Sequence, residues 1–199
     1  MKKLKFIIVP VLLLTALVLI GADCGDKSSK KSRDRDDDEE EEKYLTYENA
    51  KWGFEIKYPE DWEKEEDSSV NEFAVIFYAP PESEKDEAKE NLLVYASTAQ
   101  PEDFDELMVG LIEDLSGDSY VTLLDYKKVM ISGYPGYRAS YIYKNYSSSD
   151  EIDMGEIQYL HYFVNAGDTW YQILYVALES TYSKYLDQAE TMIDSFKIK

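Results

Sequence analysis

From Tyr44 onward, apolar and polar positions alternate along most of this chain, and the alternation predicts strands. In Tyr47–Trp62, Phe54, Ile56 and Tyr58 alternate with Glu55 and Lys57, the period of a strand with one buried and one wet face. Gly53 suits the turn into that strand because it reaches backbone angles closed to other residues. Pro59 lacks the N–H that a ladder needs and ends the pairing. Trp52 and Trp62 flank the strand as caps for the core it begins. The stretch therefore reads as a turn, one short strand and a stop, followed by a polar, acidic connection through Ser69.

Later segments are apolar on both faces. Val70–Ala79 sets Phe73, Val75 and Phe77 against Ala74, Ile76 and Tyr78, and Pro80-Pro81 ends it. Residues 82–90 are charged without an apolar stripe, the pattern of a solvated loop or one loose helical turn. Leu92–Ser97, Val121–Ile131, Tyr137–Tyr146, Gly155–Val164 and Thr169–Leu178 read as further strands. Gly133-Tyr134-Pro135-Gly136 and Asn165-Ala166-Gly167-Asp168 are the turn signals between them, and 147–154 is a polar loop. Two stretches have helical period. Pro101 opens the first, whose stripe is Phe104, Leu107, Met108, Leu111, Ile112 and Leu115, with Gly117 as its stop. Tyr182–Ile193 is the second, with Tyr182, Tyr185, Leu186, Ala189, Met192 and Ile193 inward; 195–198 close the chain. Strands apolar on both sides need layers above and below. The prediction is an α+β domain with a twisted antiparallel sheet of about six or seven strands and helices on both faces.

The N-terminus follows another rule. Lys2, Lys3 and Lys5 precede an uncharged, apolar run, Phe6–Ala22, the layout of an export signal. Ile20-Gly21-Ala22-Asp23-Cys24 resembles a lipobox, with Cys24 as the lipidation candidate. Asp23 stands where such boxes carry Gly, Ala or Ser, so an uncleaved anchor is the alternative. Either way the lysines stay inside and the remainder is exported, giving an extracytoplasmic location at the cell membrane. Residues 25–43 carry a run of like charge that holds no core, an acidic tether. The predicted organisation is leader 1–24, linker 25–43 and domain 44–199.

Charge and residue counts then exclude chemistry. The net charge is −20, and residues 44–199 hold 12 Lys and Arg against 31 Asp and Glu. Nucleic acid is excluded as a partner, because phosphate contacts need a basic surface. Only the N-terminal segment is expected to meet the membrane. Cys24 is the sole cysteine and His161 the sole histidine, which excludes a domain disulfide and the usual zinc sites. His161 lies mid-strand, and no Gly-x-Ser-x-Gly elbow or phosphate-cradling loop accompanies it. Two candidate sites remain. Asp150, Glu151, Asp153 and Glu156 surround one loop and offer oxygen ligands to a hard cation such as Ca2+ or Mn2+. Tyr137, Tyr141 and Tyr143 share one face of a strand, a binding patch if no helix covers it. Asn145-Tyr146-Ser147 is a glycosylation sequon.

Four pieces in order carry a resemblance: the Tyr47–Trp62 stretch, Phe77-Tyr-Ala-Pro80, Ile131-Ser-Gly-Tyr-Pro-Gly-Tyr137 and Ile193-Asp-Ser-Phe-Lys197. In that sequence they resemble the PsbP-type domain, first known from an extrinsic subunit of photosystem II, over Tyr44–Lys199. The resemblance implies an α/β/α sandwich around an antiparallel sheet. It also implies a mostly non-catalytic binding or assembly protein, within a family that includes exported lipoproteins outside photosynthesis. The expectation is a monomeric, non-enzymatic module for a protein partner or small ligand, with no resident cofactor. The alternatives are a calcium- or manganese-binding accessory protein and a hydrolase working through carboxylates alone.

Overall fold

Alternation becomes pairing in two separate sheets. The computed structural model describes residues 43–66, 72–81, 90–99, 101, 103–144 and 155–199. The first sheet has three strands in the order β1 (Tyr44–Asn49), β2 (Phe54–Pro59), β10 (Lys197–Ile198). β1 and β2 form an antiparallel hairpin that sets Tyr47 opposite Ile56. Its turn is held by Gly53 at φ 64° and by the Trp52 N–H donating to Asn49 Oδ1 at 3.0 Å. The expected turn over Tyr47–Trp52 is therefore half strand. Only Tyr47 of β1 is buried, so the strand has no apolar alternation to announce it and is fixed by backbone pairing with β2.

The second sheet has seven strands in the order β3-β4-β5-β9-β8-β7-β6, antiparallel throughout. Its members are β3 (Glu63–Glu65), β4 (Phe73–Tyr78), β5 (Asn91–Ser97), β6 (Val121–Ile131), β7 (Tyr134–Tyr143), β8 (Ile157–Asn165) and β9 (Trp170–Leu178). Five central residues of β9 in a row are buried, which is why its sequence is apolar on both sides. One face presents Tyr171, Ile173, Tyr175 and Ala177 to the main core, with Val75, Phe77, Leu92 and Val94 from β4 and β5. The small sheet closes that core with Phe54 and Ile56, and the helix α2 (Leu186–Asp194) adds Ala189, Met192 and Ile193. Phe54 stacks obliquely on Phe196 at 5.2 Å, and Trp62 meets Tyr185 edge-on at 5.9 Å. Burying a ring such as Phe54 contributes about 1.5–3 kcal/mol.

The opposite face carries Leu93, Ile157, Leu174 and Val176 in one cluster. A second cluster, Met108, Tyr137 and Phe163, lies under the helix α1 (Phe104–Gly117). Helices do flank the sheet on both sides, as expected; the second sheet was not foreseen. It lies on the α2 side because the apolar faces of β1, β2 and β10 need a surface to cover.

Three further differences have local causes. The β6–β7 turn is Ser132-Gly133, with φ 51° and 83°, so β7 starts at Tyr134 instead of Tyr137. Both central residues take positive φ, the two-residue hairpin geometry that follows strand twist. The last helix starts late: Tyr182–Lys184 is a 3-10 turn, and α2 begins at Leu186. There the Tyr182 carbonyl accepts the Tyr175 hydroxyl at 3.0 Å, and the Tyr185 hydroxyl donates to the Pro80 carbonyl. Glu90, expected in a wet loop, is 2% exposed and bonded to the Thr181 hydroxyl. Val70, Tyr146 and the 147–154 loop lie outside the described residues.

Candidate functional site

The far end of the large sheet, where α1 crosses β6 and β7, gathers the features that point outward. Asp103 caps α1, its Oδ1 accepting the Glu106 N–H at 2.9 Å, and Asp105 and Glu106 complement the helix dipole. The cap lies beyond Pro101, which stands outside the helix and does not open it. Of the expected stripe only Met108 is fully buried, with Phe104 and Leu111 packed beside it against Tyr137 and Phe163. Leu107, Ile112 and Leu115 are half-buried. The helix is pinned at one end: Asp105 accepts the Tyr137 hydroxyl and pairs with Lys128 Nζ at 3.1 Å, which lies 5.2 Å above the Tyr137 ring. The Tyr137 hydrogen bond, then Lys128, hold the Asp105 carboxyl below the usual carboxylate range. Burial first, then Tyr137, pushes Tyr126 up to about 12. Tyr126 stacks on Tyr137 at 5.4 Å, and its buried hydroxyl has no hydrogen-bond partner among the described residues, nor has Trp170 Nε1.

Exposed apolar side chains fall mainly on α1, on β6 and in the turns at the two ends of β6. Of the six large ones among the described residues, five fall here: Val109 on α1, Tyr120 before β6, Leu124 and Met130 on β6, and Tyr134 at the start of β7. Met130 is 67% exposed and Leu124, at an irregularity in the β6 register, 50%. Among the described residues β6 has β7 as its one sheet neighbour.

The predicted tyrosine patch is taken apart by this arrangement. Tyr137 is 4% exposed because α1 covers it. Tyr141 is half-buried and stacks on Tyr159 at 4.9 Å. Tyr143 is half-buried at the strand end. Tyr141 instead belongs to a buried polar chain. Its hydroxyl donates to His161 Nδ1 at 3.3 Å, and His161 Nε2 bonds Gln172 Oε1 at 3.0 Å. Gln172 Oε1 only accepts, so Nε2 carries a proton; burial keeps the ring neutral, which leaves Nδ1 to accept from Tyr141. Burial lowers His161 to about 3, against the smaller opposing effect of Gln172. Burial likewise pushes the Tyr141 hydroxyl up. Both ring nitrogens are occupied inside the protein, so His161 packs and does not present a base. Nothing in the sequence joined Tyr141, His161 and Gln172; their strands neighbour one another only in the folded order.

Of the predicted cation ligands, Glu156 is exposed, and Asp150, Glu151 and Asp153 lie outside the described residues, as does Cys24. Among the described residues no group of three or more His, Cys, Asp or Glu side chains is placed to hold a metal ion.

Solved structures of low sequence identity share this architecture. Cyanobacterial PsbP (CyanoP) from Synechocystis sp. PCC 6803 is 16% identical, covering 83% of this chain and 98% of that one, with a TM-score of 0.53. LpqN of Mycobacterium tuberculosis, described as involved in cell envelope biogenesis, is 13% identical over 79% of this chain and 91% of that one, at 0.57. PA94 of Pseudomonas aeruginosa, described as a putative regulator of unknown function, is 12% identical over 76% and 94%, at 0.50. At these identities the likeness is one of fold. No curated protein sequence matches the chain. The family model described as PsbP-like protein, however, matches residues 5–198, nearly the whole sequence, and the seven-stranded antiparallel sheet with its flanking helices agrees with it. The chain belongs to the PsbP-like family.

Proposed function

We propose that this PsbP-like protein is a membrane-tethered, extracytoplasmic module that binds or assembles a partner without transforming it. The observation that carries the reading is that five of the six large exposed apolar side chains among the described residues lie on α1, along the edge strand β6 or in the turns at its two ends, a long surface available for contact. The sealed state of His161 supports the non-catalytic part, since both its nitrogens are engaged within the sheet. The family match begins at residue 5 and so takes in the apolar run Phe6–Ala22, which supports the tether. Residues 1–24 then act as leader or anchor, 25–43 as linker and 44–199 as the working domain, held by lipid on Cys24 or by an uncleaved helix. LpqN, which shares the fold, is described as involved in cell envelope biogenesis, a setting of the same kind.

Fractionation with external protease tests this. The expected result is a membrane-bound chain whose domain is cleaved in intact, outer-barrier-stripped cells and which cross-links to a partner protein. A chain found in the cytosol, or one that turns over a substrate, overturns the reading. Mass spectrometry of the mature N-terminus decides between lipid on Cys24 and the intact anchor.

A further inference from the structure

The charge of the domain is unevenly placed. Residues 121–144, the β6–β7 hairpin, carry Lys127, Lys128, Arg138 and Lys144 with Asp125 as the sole acid. They form a basic island in a domain with 31 acidic residues. Two of these charges are already engaged: Arg138 pairs with Asp125, and Lys128 shares Asp105 with Tyr137. Lys127 is exposed, without an ion pair among the described residues. The island lies on a strand edge. β6 spans Val121–Ile131 and ends the sheet, whereas the other end, β3, is three residues long. Beyond the register shift at Leu124, Asp125–Ile131 pairs regularly with β7 and leaves its other edge open among the described residues. Backbone groups on such an edge are a template for a further strand.

We infer that the Asp125–Ile131 edge of β6 takes an acidic peptide segment of a partner protein as an added antiparallel strand. The inference rests on the binding-module reading and names its surface and the chemistry of its ligand. Side chains along β6 fix the pattern. Lys128 lies on the α1 side, over Tyr137, and Val129 packs toward the main core on the other. A strand laid antiparallel meets Met130, Val129, Lys128 and Lys127 in that order. It therefore carries two apolar residues followed by two acidic ones. One acid faces the exposed Lys127, the other shares Lys128 with Asp105, and of the two apolar residues one covers Met130 on the α1 side while the other lies beside Val129 on the opposite face. The rest of the domain repels an acidic chain, so the basic edge is where it settles. The competing account is that the two lysines and the bulge exist only to blunt the edge against aggregation.

The test titrates the full chain in nanodiscs with a fluorescent probe, acetyl-Thr-Val-Ile-Glu-Glu-Tyr-Thr-amide. Saturable binding is expected, falling with added salt and protecting amides of Asp125–Ile131 from hydrogen exchange. Changing both probe Glu to Lys abolishes it, and Lys127→Glu, an exposed change that leaves packing intact, weakens it about tenfold. N-methylation of alternate probe residues spares binding in one phase and removes it in the other, because only one edge of the added strand is paired. The inference is overturned if the unmodified probe does not bind, if both methylated phases bind equally, or if Lys127→Glu has no effect. It is also overturned by a concentration-dependent dimer that Lys127→Glu dissolves, which assigns the edge to a second copy. A probe that fails while a partner still cross-links removes this edge and leaves the module reading standing.

Discussion

Acid should weaken this fold through one histidine, and the size of the effect follows from its burial. His161 keeps a neutral ring in the sheet, with its pKa lowered from 6.5 to about 3. In the unfolded chain the same side chain titrates near 6.5. Its folded pKa is depressed, so its contribution is intact above 6.5 and is lost as the pH falls toward 3. Between those values the unfolded state binds a proton that the folded state refuses. From pH 7 to pH 5 the unfolded side chain goes from about one-quarter to nearly fully protonated, which costs about 2 kcal/mol of stability. A domain of this size has about 5–15 kcal/mol in total, so the loss is measurable. His161→Gln keeps a polar group between Tyr141 and Gln172 and removes the titration. Urea unfolding at both pH values, followed by tryptophan fluorescence with Trp62 as a buried reporter, gives the two differences. The native chain should lose about 2 kcal/mol more than the variant. The lowered carboxyls of Glu55, Glu66 and Asp105 titrate in both proteins and cancel. Equal losses in the two proteins would falsify the buried, neutral assignment of His161.

Three further outcomes follow from packing and capping. At Gly136 an added Cβ falls inside the contact distance of the Phe163 carbonyl on β8; Gly136→Ala should cost about 1–3 kcal/mol or more by urea unfolding, because a backbone atom has to move. Asp103→Ala removes the α1 cap and should cost about 1 kcal/mol, read as faster amide exchange in the first turn of α1. Tyr175→Phe leaves the Tyr182 carbonyl, which accepts its hydroxyl at 3.0 Å, without that donor. The expected loss is about 1–3 kcal/mol in urea unfolding; an unchanged midpoint refutes that role for the bond.

Much of the secondary structure was legible because alternation and helical spacing report which faces are buried. β2, β4, β5, β6, β8 and β9 were expected near their observed places, and the two-sided apolar pattern of β9 predicted layers over both faces. β1 and β3 were not visible, since Tyr44–Asn49 buries a single side chain and Glu63-Lys64-Glu65 none. Such strands are held by backbone pairing, which leaves no mark in side-chain hydropathy. The candidate site was harder to see. The predicted tyrosine face is real as an alternation, but α1 covers Tyr137, and no local pattern says where a helix docks.

The sequence by itself determined the faces, the acidity, the leader pattern and the poverty of nucleophile–base chemistry, because composition and periodicity are local properties. Tertiary structure alone decided that β9 lies between β5 and β8, that a second sheet closes the main core, and that the lysines of β6 stand on a strand that ends the sheet among the described residues. Pairing order is set by contacts between residues far apart in the chain, through shape and burial that no single segment contains.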